Sequence, residues 1–231
     1  VHYSMGGLWV DYDQMTEIPG LFAAGECDYS QHGANRLGAN SLLSAIYGGM
    51  VAGPNAVKYI KGLKKHAEDL PETIFEARVK EETEKWEAIL KMDGTENAYL
   101  LHKELGEWMT DNMTVVRHND RLEKTYEKLT ELQERWNNIN VNDTQRWSNQ
   151  GAHFVRQLKN MLYLAKVMTK GALLRNESRG AHYKPEFPDR DDENFLKTTM
   201  AKFDPATGEP IITYQEVDVS LIPPRKRDYS A

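Results

Sequence analysis

Apolar residues return along much of this chain with the period of an amphipathic helix. Over residues 120–139, Leu122, Tyr126, Leu129, Leu132, Trp136 and Ile139 follow one another at spacings of four, three, three, four and three. Those spacings put all six on one face of a helix with 3.6 residues per turn. Three further segments show the same rhythm. Residues 72–92 carry Phe75, Val79, Trp86 and Leu90, residues 95–109 carry Leu101, Leu105 and Trp108, and residues 144–170 carry Phe154, Leu158, Met161, Leu162, Ala165 and Met168. Pro71 suits the first turn of the earliest of these helices, because proline lacks only a donor that the first turn leaves unpaired anyway. Short Asp, Asn and Gly turns between the segments predict an antiparallel helical bundle.

The residues before and after this stretch have other patterns. Residues 8–10 and 21–24 are short apolar runs bounded by Gly, Pro and Asp, which reads as buried strands around a polar turn at 11–20. A helix is predicted over 41–60. Its small residues Ala45, Gly48, Gly49, Ala52 and Ala56 let neighbouring backbone come close, and each helical glycine costs about 1 kcal/mol relative to alanine, so close packing must offset them. The tail has a charged loop with Pro185 and Pro188 over 176–194. A β-hairpin follows, with arms at 200–203 and 210–217 about a turn at 204–209. The fold class expected is therefore an α/β segment, then an antiparallel helical bundle, then a small β-hairpin tail. The expected domains are 1–62, 63–175 and 176–231.

Composition narrows the function classes. The 231 residues include 29 Lys and Arg against 35 Asp and Glu, a formal net charge of −6 spread along the chain, which argues against nucleic-acid binding. The single cysteine, Cys27, excludes an internal disulfide framework and is expected to be a buried or half-buried thiol in a reducing compartment. The most apolar window, 42–57, is too short and too rich in Gly, Pro and Asn to cross a bilayer. The histidines lack ligand spacing with one another or with Cys27, so no metal is expected, and one thiol cannot hold an iron–sulfur cluster. No Gly-x-Gly-x-x-Gly turn, P-loop or Gly-x-Ser-x-Gly elbow occurs. Because the chain starts on Val1 with a motif already under way, it is expected to be the C-terminal part of a longer polypeptide, with any dinucleotide fingerprint in earlier sequence.

The chemistry concentrates in residues 32–43, His-Gly-Ala-Asn-Arg-Leu-Gly-Ala-Asn-Ser-Leu-Leu. Gly33 and Gly38 allow close approach to a ligand, Arg36 offers a planar fork for a carboxylate, and Asn40 or Ser41 opens the following helix. The helix start adds a partial positive charge that favours an electron-rich ligand atom. An ordinary glycine-containing loop with a helix cap has the same spacing. Taken alone, Glu26 reads as a solvated carboxylate.

Three motifs in order, His-Tyr-Ser-Met-Gly-Gly at 2–7, Gly-Leu-Phe-Ala-Ala-Gly-Glu at 20–26 and the 32–43 run, resemble the flavoprotein subunits of succinate dehydrogenase and fumarate reductase. The resemblance continues through Lys-Glu-Leu-Gly-Glu-Trp-Met at 103–109, Val-Val-Arg at 115–117 and Glu-Ser-Arg-Gly-Ala-His-Tyr at 177–183. It implies FAD as cofactor, with Glu26 at the ribityl region and Asn40, Ser41 and Leu42 beside the flavin ring. His2 and Arg36 would bind a dicarboxylate, succinate or fumarate. His32 would line the same pocket or serve as scaffold, and Arg175, Arg179 and His182 would either fold back toward the flavin or form salt bridges. The implied reaction is hydride transfer between substrate and FAD, with electrons passed to an iron–sulfur subunit beside a membrane-anchor subunit. That places the protein at the cytoplasmic face of the cell membrane, held through its partners. The catalytic proton-transfer arginine would lie in earlier sequence, so these residues alone are expected to be inactive. L-Aspartate oxidase has similar motifs but typically follows its arginine with Met-Ala-Ser-Asn-Ser, where Leu37, Gly38 and Ala39 stand here. A third reading is a non-catalytic helical docking module.

Overall fold

The computed structural model describes residues 3–29, 32–204 and 206–225. Contacts divide the chain into two compact units, residues 1–82 and 83–231.

In the first unit the two expected strands shrink to isolated bridges, Leu8 with Asp28 in parallel and Met15 with Phe22 antiparallel. Short runs with no third strand beside them among the described residues cannot sustain a ladder. The hydrogen bonds Leu8 N to Cys27 O (2.8 Å) and Tyr29 N to Leu8 O (2.9 Å) still fix their register. A Cβ on Gly7 would lie 2.3 Å from Cys27 O, so only glycine fits this crossing. Helix α1, Asn40–Gly62, packs on the 3-10 turn Gly25–Cys27. The expected close approach occurs at Gly48, where a Cβ would meet Ala24 Cβ at 3.1 Å and Gly25 N at 3.3 Å. A Cβ on Gly49, Gly53 or Gly62 would meet nothing within 4 Å, so the packing demand is local to Gly48. Cys27 is exposed rather than buried, since it ends the 3-10 turn with Sγ donating outward to Ala24 O at 3.3 Å.

Four helices follow: α2 Glu72–Leu90, α3 Ala98–Met113, α4 Asn119–Trp136 and α5 Gln150–Leu174. Helices α3, α4 and α5 pack pairwise, and the predicted stripes supply the core of the second unit. Leu101, Leu129, Leu132, Ile139 and Leu158 are fully buried. Trp136 is buried with its indole N–H donating to Val155 O at 2.8 Å, which satisfies the one polar atom it brings inside. Two stripes are only partly covered. Phe75 and Val79 of α2 and Met168 of α5 are exposed, while Trp86 and Leu90 join the core.

Helix ends follow from side-chain chemistry. Asn97 Oδ1 accepts from Tyr99 N at 2.9 Å, so α3 starts three residues later than periodicity suggested, and Asn149 Oδ1 caps α5 through Ala152 N at 2.8 Å. The segment before α3 pairs with the segment after α4 through Glu96 N to Asn138 O (2.9 Å) and Asn140 N to Glu96 O (2.8 Å). A Cβ on Gly94 would sit 2.0 Å from Asn138 O, so that pairing requires glycine. Arg135 on α4 reinforces it by bonding both carboxylate oxygens of Glu96, at 2.8 and 3.2 Å.

The hairpin is β1 Lys197–Asp204 paired antiparallel with β2 Glu209–Glu216, in the register Lys197↔Glu216 to Asp204↔Glu209. It is longer than its apolar pattern because polar Lys197, Thr198 and Thr199 pair as well. It packs on α5, where Phe203 meets the Tyr163 ring edge-on at 5.0 Å and the buried Lys166 ammonium lies 2.5 Å from Glu209 Oε1.

The loop before the hairpin has a polar interior. Fully buried Glu177 pairs with Arg175 (2.5 Å) and Arg179 (2.8 Å), and fully buried Lys184 donates to Leu173 O and Asn176 Oδ1, both at 3.0 Å. Burial pushes the Lys184 ammonium down to about 8. His182 accepts from Arg117 at Nδ1 (2.6 Å) and donates from Nε2 to Arg175 O (2.9 Å). Burial, helped by the Arg117, Lys184 and Arg175 cations, pushes the His182 pKa down to about 4. Of the two roles open to Arg175, Arg179 and His182, these contacts are those of local structural pairing.

Candidate functional site

The site grows from the loop that enters α1. Gly33 has φ +57° and Ala39, at the cap position of α1, has φ +64°, so the backbone turns through two left-handed residues on its way into the helix. A left-handed alanine costs about 1 kcal/mol or more. That conformation moves the cap to Ala39, one residue before Asn40 and two before Ser41. Neither of the expected capping side chains caps, and no side-chain cap bond forms. The first turn has no acidic residue to offset its partial positive charge.

Arg36 lies between the two left-handed residues. Its guanidinium carbon sits 5.1 Å from the centre of the Tyr3 ring, and one terminal nitrogen donates to Leu37 O at 3.2 Å. Its Nε is buried without a partner among the described residues. A guanidinium carries five N–H donors in a fixed plane, and among the described residues Leu37 O takes one of them. Tyr3 is itself held. Its ring meets the His32 ring edge-on, with centroids 5.1 Å apart at 88°, and its hydroxyl lies 3.2 Å from His32 Nε2. The same nitrogen is 3.0 Å from Oγ of buried Ser44, which donates to Ser41 O at 2.9 Å. Ser44 Oγ, with its proton on Ser41 O, is placed to accept from His32 in the tautomer that carries its proton on Nε2.

The other sequence-selected residues lie near these elements in the chain. Glu26 is in the 3-10 turn, exposed, with Oε1 accepting from Ser4 N at 2.8 Å, which ties the motif containing Tyr3 to the turn under α1. Asn40, Ser41 and Leu42 form the first turn of α1, and Leu42 is 74 % exposed. His2 lies outside the described residues. Tyr3 and Ser44 were not selected from sequence. The only signal for them was their helical and motif proximity to Arg36 and Ser41, and such proximity does not reveal a guanidinium lying over a ring.

Comparisons with known proteins decide the family. The model for the fumarate reductase flavoprotein C-terminal region matches residues 102–229, more than half of the chain. This chain belongs to the succinate dehydrogenase and fumarate reductase flavoprotein family. An FAD-binding domain model matches residues 1–42. The succinate dehydrogenase flavoprotein subunit of Bacillus subtilis is 71 % identical over 230 residues, 100 % of this chain and 39 % of that protein. The fumarate reductase flavoprotein subunit of Haemophilus influenzae is 36 % identical over 100 % of this chain and 38 % of its own length. Among solved structures, E. coli quinol fumarate reductase superposes with a TM-score of 0.90 at 35 % identity, covering 97 % of this chain and 38 % of that one. The chain thus spans less than two-fifths of the curated relatives it matches. The match bears out the expected architecture of helical bundle and hairpin, and it makes FAD the cofactor of the family domain that residues 1–42 belong to.

The residues present fit that cofactor. The α1 first turn has neither a side-chain cap nor an acidic residue, so it suits the electron-rich pyrimidine end of a flavin, and exposed Leu42 offers an apolar surface for a ring. Among the described residues, the one group of possible metal ligands is His118, Asp120 and Glu186. Glu186 Oε1 lies 2.9 Å from His118 Nδ1 there, at the cap of α4. No helix of the described residues is long and apolar enough to cross a membrane.

Proposed function

We propose that this chain is the C-terminal part of a flavoprotein that interconverts succinate and fumarate, with residues 1–62 completing the flavin and substrate domain, 63–175 the helical domain and 176–231 its tail. The observation that carries the reading is Arg36, whose guanidinium lies over the Tyr3 ring and whose buried Nε has no partner among the described residues, in the loop that enters the uncapped start of α1. FAD, when bound, supplies the hydride acceptor and donor. Arg36 holds one carboxylate of the diacid through paired N–H···O bonds, and His2 donates to the other. Two fixed carboxylates leave the central C–C bond of the substrate one orientation, which is the part of catalysis these residues supply. The first turn of α1, Asn40, Ser41 and Leu42, faces the flavin ring, where its partial positive charge favours electron density on the reduced ring. Glu26 accepts hydrogen bonds from the ribityl hydroxyls with its second oxygen, since the first is engaged by Ser4 N.

Electrons leave to an iron–sulfur subunit, and a membrane-anchor subunit holds the assembly at the cytoplasmic face of the cell membrane. Assay of the intact protein with a dye acceptor tests the substrate. Oxidation of succinate with little oxidation of L-aspartate is the expected result, and the reverse preference contradicts it. Arg36→Lys in the same protein should raise the succinate KM sharply, because an ammonium cannot reproduce the planar fork. A docking module would tolerate that change.

A further inference from the structure

We infer that Tyr3 is a positioning residue for Arg36, part of a relay from α1 through Ser44 and His32 that sets the plane of the guanidinium in which the diacid is read. The inference rests on the substrate role given to Arg36 above. Among the described residues, Arg36 has one bond, to the neighbouring Leu37 O, and the face of Tyr3 at 5.1 Å. A single bond to a carbonyl one residue away leaves rotation of the fork free. A ring face does not, because a guanidinium over an aromatic ring keeps its attraction only while it remains on the π face. The ring therefore dictates where the fork can lie, provided the ring itself is fixed.

Tyr3 is fixed from two sides. The edge-on contact with His32 sets its tilt, and its hydroxyl sits 3.2 Å from His32 Nε2. His32 is anchored by Ser44 Oγ at 3.0 Å, and Ser44 is buried on α1, with its own proton on Ser41 O. Ser41 belongs to the first turn of that helix, the turn given to the flavin in the function proposed above. The same helix thus supplies the cofactor surface and, through three side chains, the angle of the arginine that grips the substrate.

The test uses the intact FAD-loaded protein and compares Tyr3→Leu, Tyr3→Phe and Arg36→Lys by the succinate KM, the kcat, inhibition by malonate and flavin content. Removing the π face in Tyr3→Leu should raise the KM and the malonate inhibition constant together by roughly five- to thirtyfold, the range of a cation–π contact converted to affinity. The change in kcat should be smaller and flavin content should stay at the parent level. Tyr3→Phe keeps the face and should recover most of that loss. A merely structural role would lower flavin content or kcat without separating KM from it, and would not distinguish Phe from Leu. Unchanged KM in Tyr3→Leu, or equal impairment by Phe and Leu, overturns the inference. If Arg36→Lys also leaves the KM unchanged, the substrate role of Arg36 fails as well. If only Arg36→Lys impairs binding, that role stands and the relay through Tyr3 does not.

Discussion

The pair that fastens the hairpin to the bundle gives an asymmetric prediction. Lys166 is 2 % exposed, with its ammonium 2.5 Å from Glu209 Oε1 and 4.9 Å from the centre of the Tyr126 ring, and the Tyr126 hydroxyl bonds the other oxygen of Glu209. Removing the carboxylate in Glu209→Ala strands a buried cation. Breaking a buried pair from one side costs about 3–5 kcal/mol, and since the Glu209 side chain is 39 % exposed, solvent screening lowers the expectation to about 2 kcal/mol. Lys166→Met removes the charge and keeps the bulk, leaving a half-exposed carboxylate that water and Tyr126 still serve, at a cost of about 1 kcal/mol or less. The double variant should then resemble Lys166→Met. Hydrogen exchange of β1 and β2 amides reads the local change directly, and 2 kcal/mol corresponds to a roughly thirtyfold loss of protection. Urea unfolding monitored by tryptophan fluorescence provides the global check. A Lys166→Met variant as damaged as Glu209→Ala would refute the argument, because the penalty would then come from lost contacts and not from an unpaired charge.

Three further outcomes follow from the same structure. Leu129→Ala, at a fully buried position of α4, should destabilise the second unit by about 2–5 kcal/mol in urea unfolding, far more than Phe75→Ala at the exposed end of the α2 stripe. Gly94→Ala should cost about 1–3 kcal/mol and expose the Glu96 and Asn140 amides to exchange, since the new methyl collides with the Asn138 carbonyl and must part the flanking hydrogen bonds. His182 titrates near 4 when folded against an ordinary 6.5, so its contribution is complete above pH 6.5 and declines as pH falls toward 4, where the unfolded chain binds a proton that the folded chain refuses. After allowance for partial exposure, the loss is about 1–2 kcal/mol, and His182→Gln should flatten that part of the stability–pH curve.

The bundle was legible in the sequence because periodicity reports burial directly: every apolar residue of the α4 stripe except half-buried Tyr126 is in the core. Helix ends were less legible, because Asn97 and Asn149 cap by geometry that a hydrophobic pattern does not encode. The expected strands of the first unit are only isolated bridges for a related reason, as an apolar run of three or four residues specifies burial without specifying a pairing partner. In the site, motif and charge pointed to Arg36 and the start of α1. The left-handed Ala39, which displaces the expected cap, is a backbone conformation that its residue type disfavours, and the Tyr3–His32–Ser44 contacts join residues far apart in sequence. The polar interior around Glu177 and Lys184 was hidden too, because charged residues in a Pro-containing stretch look like solvated loop until their mutual pairing is seen.

A structure of the intact flavoprotein with a small diacid such as malonate bound tests the central claim most directly. The account predicts one carboxylate in the fork of Arg36 with the guanidinium still on the Tyr3 face, the other carboxylate on His2, and the flavin ring against the first turn of α1. A diacid bound without Arg36, or a flavin ring placed away from Asn40, Ser41 and Leu42, would contradict it.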